Sequence, residues 1–372
     1  MIPSFLSPIS YAFLTFPIAA LLFTLPFLVV QYRKHGYINK VRALVLYLFL
    51  LYLMNAFFLV MLPLPASRHN AALPGEAAQL IPLNFIRDIL RETSVSWSNP
   101  SSYLHLLKEQ AFLQVALNIL LTVPFGMFLR YYFRTGWIRS IVLSFVLSLS
   151  FEVTQLTGIF GFYDHPYRLF DVDDLIMNTF GGIVGFLLAE WLSGLLPRIE
   201  LLDKNVDVAS KRVSYTRRAT ALLFDVVILL AVMLLCVILS VPAAYWVSTG
   251  IYFMLVPYLT GGRTFGKWLV RIRLTGEGKR ISLYALAIRY GLLYWVFFGL
   301  DRLMLLNTDS TPAALRMLLG LGVFIINLWF LIHVVKAILT KKPLLFYEKI
   351  SNTKHIISWH HAKEDDEYRQ SA

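Results

Sequence analysis

The chain has 372 residues, of which 58% are hydrophobic and only 15% charged, with a mean hydropathy of +0.64. A soluble domain of this length carries nearer a quarter charged residues, so the composition excludes an ordinary water-soluble fold and points to lipid as the solvent. The net charge of +12 does not indicate nucleic acid, because Lys and Arg cluster in short loops between apolar runs, where they read as topology signals and contacts with anionic lipid.

Residues 1–10 hold no Lys or Arg, so the first apolar stretch is expected to stay as a spanning helix and not to be removed as a signal peptide. Stretches long enough to cross a bilayer lie at about 11–30, 41–62, 110–130, 138–158, 174–195, 219–240, 245–260, 284–304 and 317–338. The shortest, 245–260, contains Pro257. Segments this long can saturate their backbone hydrogen bonds in lipid only as helices, and the ten-residue alternation of an outer-membrane barrel is missing. The predicted fold class is therefore all-α: a polytopic transmembrane helical bundle of about nine spans. Basic residues follow the odd-numbered spans: Arg33, Lys34, Lys40 and Arg42, then Arg130, Arg134 and Arg139, then Arg198 to Arg218, then Arg263 to Arg280, then Lys341 and Lys342. The alternate loops are poorer in Lys and Arg, which puts the N-terminus outside and the C-terminus in the cytoplasm.

The stretch 196–216 lacks apolar periodicity and alternates in charge. It divides a five-helix membrane module (1–196) from a four-helix one (217–357) through a basic cytoplasmic linker (197–216). Residues 358–372, with the run Lys363, Glu364, Asp365, Asp366 and Glu367, form a polar, solvated tail. The one cysteine, Cys236, lies inside an apolar run, so no disulfide, zinc site, thiol chemistry or cofactor follows from it.

Polar side chains inside spans are costly and therefore informative. Span three carries Gln114, Asn118, Thr122 and Gly126 at intervals of four, on one face, with Pro124 expected to bend or open the helix. Span four carries Ser144, Ser148, Glu152 and Gln155 on a single face. Span five opens with Asp171, Asp173 and Asp174 and continues through Asn178, Gly181 and Gly185. With the N-terminus outside, these groups fall in the outer half of the bilayer, Asn118 about 12 Å below the outer end of its span. Glu152 must be neutral, hydrated or partnered, with Arg87 and Arg168 as candidate partners. Gln114, Asn118 and the glycines read first as interhelical packing, Asp171 as a loop charge, and Asp173 or Asp174 as a helix cap. Glu152 with Asp174 reads as a functional site, because carboxylates in spans usually are.

At these residues the chain resembles the VanZ family of bacterial membrane proteins, through LIPLNFIRDIL (80–90), LNILLTVPFGMFL (117–129), SFEVTQLTG (150–158) and FDVDDLIMNTFGGIVGF (170–186). The resemblance covers about residues 12–195. It implies low-level resistance to teicoplanin-type glycopeptides, and it carries a ligand-binding set over to Arg87, Asn118, Glu152, Gln155, Asp171, Asp173, Asp174 and Asn178. The second module is similar to the RDD family through RRATALLFDVVI (217–228), GGRTFGKWLVRIRL (261–274) and LLFYEKISNTKHII (344–357), with Arg217, Arg218 and Asp225 as its motif residues. Tyr347-Glu348 stands where a His-Asp pair is typical, a conservative change at the family's third acidic position that weakens an ion-linked role there. Asp225 can be satisfied by Arg218, seven residues earlier, or by another helix, and such a structural pair competes evenly with an ion-coupling site. Gly261-Gly262…Gly266-Lys267 fails the phosphate-loop register because Trp268 follows the lysine, and the basic cluster Arg263 to Arg280 is expected to meet lipid head groups.

The favoured function is a binding or protective protein in a bacterial cell membrane. Its outer-leaflet polar pocket would take an amphiphilic ligand, a glycopeptide antibiotic or a cell-wall lipid precursor, with membrane lipid as the other partner. The alternative is a transporter or flippase of a lipid-linked or small polar substrate, which needs a broken helix such as one opened at Pro124 to Gly126. A membrane enzyme using Glu152 and Asp174 as acid and base ranks third. No metal set is read, His165 being the sole histidine nearby.

Overall fold

The computed structural model describes residues 2–93, 105, 108–195, 197–204, 206–208, 210–276, 280–299, 301–302, 312–340 and 344–358. Lys279, Lys341, Lys342 and the polar tail from residue 359 lie outside the described residues. The fold is mostly helical. Among the described residues, seven helices are long and apolar enough to cross a membrane: Ser7–Lys34, Lys40–Met61, Gln110–Tyr131, Trp137–Leu156, Val172–Gly194, Tyr215–Ile238 and Ala313–Leu339. The apolar runs at 245–260 and 284–304 form shorter rods. The first is Ala244–Gly250, Ile251–Leu255 and Val256–Leu259 end to end, its middle piece a π-helix, and the second is Leu283–Tyr290 continued by the π-helix Gly291–Phe297. Four short strands depart from the all-helical expectation, because loop segments with free backbone groups pair with each other.

Two compact units emerge, Met1–Leu22 with Asn39–Lys204, and Phe23–Ile38 with Asn205–Ala372. The division of the chain at Lys204 falls inside the polar stretch 196–216, and the last part of the first helix counts with the second unit.

The first unit contains most of α1 (Ile2–Lys34), then α2 (Lys40–Met61), β1 (Ala78–Gln79), α3 (Asn84–Glu92), α4 (Gln110–Tyr131), α5 (Trp137–Leu156), β2 (Phe170–Asp171) and α6 (Val172–Trp191). Side-chain caps set two of the starts: Asn39 accepts from the amides of Val41 and Arg42 ahead of α2, and Asp171 accepts from Asp173 ahead of α6. The strands β1 and β2 run parallel, pairing Ala78 with Phe170 and Gln79 with Asp171. The helices α4 and α6 approach so closely that a Cβ on Gly181 would overlap the carbonyl of Ile119, and one on Gly185 that of Val123. This is the small-residue seam that lets helix backbones touch in lipid. Pro124 does not open α4, which is helical throughout. The Tyr52 hydroxyl of α2 donates to the carbonyl of Leu121, 2.8 Å away, and ties α2 to α4 beside the proline, whose missing N–H leaves the carbonyl of Leu120 without its helical donor.

The second unit holds α7 (Tyr215–Ile238), α8 (244–259, the first of the short rods), α9 (Phe265–Leu269), β3 (Ile272–Thr275), α10 (Leu283–Tyr290 with its π-helical continuation), α11 (Ala313–Leu339), α12 (Phe346–Ile350) and β4 (Lys354–Ile357). The antiparallel ladder β3–β4 pairs Ile272 with Ile357 through to Thr275 with Lys354. Val270 and Ile272 are completely buried, packed with Tyr32, Val213 and Ala221.

Substituting Gly181 or Gly185 with leucine should destabilise the first unit by about 1–3 kcal/mol or more, as overpacking does. Gly194, whose Cβ would meet nothing, should accept alanine without loss. Thermal unfolding in detergent checks both.

Candidate functional site

The α4–α6 seam sets the site. It places Asn118 of α4 beside Asp174 of α6, and the Asn118 amide donates to the Asp174 carboxylate. One turn further along α6, the Asn178 side-chain amide donates to Ser148 Oγ of α5 at 3.0 Å, and its backbone carbonyl accepts from Thr122 Oγ1 at 2.6 Å. The remaining side-chain oxygen of Asn178 is buried without a partner. Glu152 of α5, only 3% exposed, accepts the backbone N–H of Asp171 at 3.1 Å. Gln155, equally buried, donates to the carbonyl of Val60 at 2.8 Å and ties α5 to the end of α2.

Asn118, Glu152, Gln155, Asp174 and Asn178 line a cavity of about 620 Å³. Its charged lining is Glu152, Asp171 and Asp174 with Arg168, so carboxyl groups outnumber cations. Arg168 is exposed and donates to the carbonyl of Leu62 at 3.0 Å. Its apolar wall includes Leu117 and Leu120, which are 40% and 63% exposed on the outer surface of α4. The cavity thus combines acceptors and carboxylates inside with a leucine border, the chemistry of a site for a molecule with a polar head and an apolar body. Burial pushes the Asp171 carboxyl above its ordinary range, the charges of Asp173 and Asp88 push the same way, and the N–H of Asp173 opposes them. Among the described residues, no cluster of His, Cys, Asp and Glu could hold a metal ion.

Of the eight residues carried over as a ligand set, Asn118, Glu152, Gln155, Asp171, Asp174 and Asn178 line the cavity. Asp173 and Arg87 do not. Asp173 turns away to cap α3, accepting from the amides of Leu83 at 2.6 Å and Phe85 at 2.8 Å, so its two oxygens are spent on a helix N-terminus. Arg87 sits exposed on α3, outside the lining, and Arg168 is the guanidinium beside Glu152 in the cavity.

In the second unit Arg217, Arg218 and Asp225 take separate partners. Arg217, 2% exposed, donates to the carbonyls of Val270 at 2.7 Å, Gly36 at 2.8 Å and Arg271 at 3.0 Å, and covers the Tyr32 ring at 4.7 Å. Arg218 does not reach Asp225; it pairs with Glu348 at 3.1 Å. Asp225 accepts from the Tyr252 hydroxyl and the Gly266 amide, both at 2.7 Å, and from the Thr264 hydroxyl at 2.6 Å, with Lys267 Nζ at 3.5 Å. Another helix, α9, therefore supplies its cation. Lys267 is thereby withdrawn from the cluster expected to meet lipid head groups, being only 5% exposed.

Glu348 is fully buried and holds Arg289 at 2.6 Å as well as Arg218. Arg289 interrupts the apolar run at 284–304, and that break in hydropathy is the sequence signal that could have flagged it. His355 brings its Nδ1 to 3.2 Å from Glu348. Burial would raise the Glu348 carboxyl, but the close approach of His355 and the charges of Arg289 and Arg218 outweigh it and hold it far below its usual range. Burial drives His355 down to about 3.

Residues 49–193 match the model of the VanZ/LLP1 family. The matched stretch carries every residue that lines the cavity, so the chain contains a VanZ-like segment built around it. No curated protein and no solved structure matches the chain significantly.

Removing the α3 cap with Asp173→Ala should cost about 1–2 kcal/mol and speed hydrogen exchange at Leu83 and Phe85, leaving the cavity lining in place. In the second unit, His355 is neutral when folded and takes a proton near pH 6.5 when unfolded, so its contribution is complete above about 6.5 and is lost as the pH falls toward about 3. Glu348, depressed from 4.5, adds a loss of the same sign at lower pH. Thermal unfolding should show stability dropping from neutral pH to about pH 5, and a His355→Gln chain should show a flatter slope over that interval.

Proposed function

We propose that the chain is a multi-pass protein of a bacterial cell membrane that binds an amine-bearing amphiphile in its acidic cavity and lowers susceptibility to teicoplanin-type glycopeptides. The observation that carries this is the convergence of Glu152, Asp171 and Asp174, with Asn118 and Asn178, in one cavity bordered by exposed leucines. Carboxylates attract an ammonium group, and the unpartnered oxygen of Asn178 accepts one of its protons. The leucine border suits an acyl chain that stays in lipid. The ligand is a lipid-bearing glycopeptide or a lipid-linked cell-wall precursor.

The basic loops support an N-terminus outside, a cytoplasmic C-terminus and about nine crossings, with the cavity open toward the outer leaflet. In that frame residues 217–357 form an RDD-like module whose Arg217, Arg218 and Asp225 position the ends of its helices. The flippase reading rests on a helix broken near Pro124, and the continuity of α4 weighs against it.

Expression in a susceptible Gram-positive host tests the proposal. The protein should raise tolerance to lipid-bearing glycopeptides more than to vancomycin. Glu152→Gln, which keeps the shape and removes the charge, should weaken ligand binding about tenfold or more and abolish most of the protection. Equal tolerance to both drug types, or full protection by the Glu152→Gln protein at matched expression, would count decisively against it.

A further inference from the structure

We propose that a second cavity, at the other end of the α4–α6 pair, binds the phosphate head group of an anionic phospholipid. This cavity has a volume of about 390 Å³, and its charged lining is Arg130, Arg134 and Arg198 with Glu190. Along α6, sixteen residues separate Asp174 from Glu190, which places it roughly 24 Å from the acidic site.

Three features make it a built site. Arg130 meets Glu190 at 2.6 Å, but both side chains are more than a third exposed, so the pair is weakly held and leaves Arg130 able to turn to an anion. Arg134 follows the end of α4 in a left-handed conformation, φ 55°, the position that closes a helix, and Thr135 secures the turn by donating its N–H and its hydroxyl to the carbonyl of Leu129, each at 3.0 Å. The segment carrying Arg198 is tied to α4 by the Tyr131 hydroxyl, which donates to the carbonyl of Pro197 at 2.8 Å.

The carbonyl ends of α4 and α6 both point toward this region and disfavour an anion. The guanidinium excess reverses the sign, and each planar fork matches two phosphate oxygens. Attachment to acyl chains follows from the border. Leu187 and Trp191, 60% and 79% exposed, share one face of α6, and Leu195 is 82% exposed just beyond it. A soluble phosphate has no use for that apolar edge, whereas a phospholipid lays its chains along it, with the indole at the head-group level.

Native mass spectrometry of the full chain in mild detergent tests the assignment, using phosphatidylglycerol, phosphatidylcholine and glycerol 3-phosphate as probes. The chain should retain phosphatidylglycerol in preference to phosphatidylcholine. The double variant Arg134→Gln/Arg198→Gln should lose about tenfold or more of that preference. Arg198→Gln alone, a change on an exposed segment, carries the same test with a smaller loss if the double variant fails to fold. Arg139→Gln, exposed in the first turn of α5 nearby but outside the lining, should keep the wild-type preference. An equal loss in Arg139→Gln would reduce the effect to general surface charge and overturn the site. So would the absence of any preference, or displacement of the lipid by millimolar glycerol 3-phosphate, which would mark a site for soluble anions.

Discussion

The contact on which the first unit depends is the backbone-to-backbone approach of α4 and α6. Where Gly181 and Gly185 face the carbonyls of Ile119 and Val123, no side chain intervenes, and the two helices act as one rigid pair. The side chains that flank this seam are then fixed in relation to each other. Asn118 meets Asp174, Thr122 meets the carbonyl of Asn178, and α5 adds Ser148 and Glu152 from the side. The cavity is a product of that close approach, since helices held apart by larger residues could not bring short amide and carboxylate side chains into one space.

The carboxylates of this protein fall into two groups by how fully their oxygens are used. Asp173 spends both on the amides that open α3, Asp225 accepts three hydrogen bonds with Lys267 beside it, and Glu348 is held between two arginines with a histidine close by. Such groups hold structure, because each buried oxygen meets at least one donor. Glu152, Asp171 and Asp174 line one cavity instead, Asp171 while also capping α6. The difference separates carboxylates enclosed by donors and cations from carboxylates that border open space.

Much of this was legible in the sequence because a polar residue in an apolar run is conspicuous, and residues spaced by four share a helix face. That logic identified Asn118, Glu152, Gln155, Asp174 and Asn178 as inward-facing, and the structure gathers all five in one cavity. It could not separate Asp173 from Asp174. Adjacent helical residues point about 100° apart, and which one faces a neighbouring N-terminus depends on where the loop before α3 comes to rest. Pro124 was misleading for a similar reason. A proline removes one donor, but α4 keeps its helical course through it, packed against α6 along the glycine seam and tied to α2 by Tyr52, from a helix some 70 residues away in the chain. The partner of Asp225 was also out of reach, because Lys267 approaches it through a tertiary contact that no periodicity encodes.

Arg217 has a consequence for how the polypeptide can be divided. One guanidinium binds the carbonyls of Val270 and Arg271 and also that of Gly36, and it lies on the ring of Tyr32, so the early segment 23–38 completes the surroundings of a buried cation. A protease or a gene-splitting event acting at the polar stretch near residue 205 would leave the later fragment with that cation stripped of its first-helix partners. Although the hydropathy profile suggests two modules strung in series, the second is assembled from both ends of the chain and inherits its completeness from residues synthesised long before it.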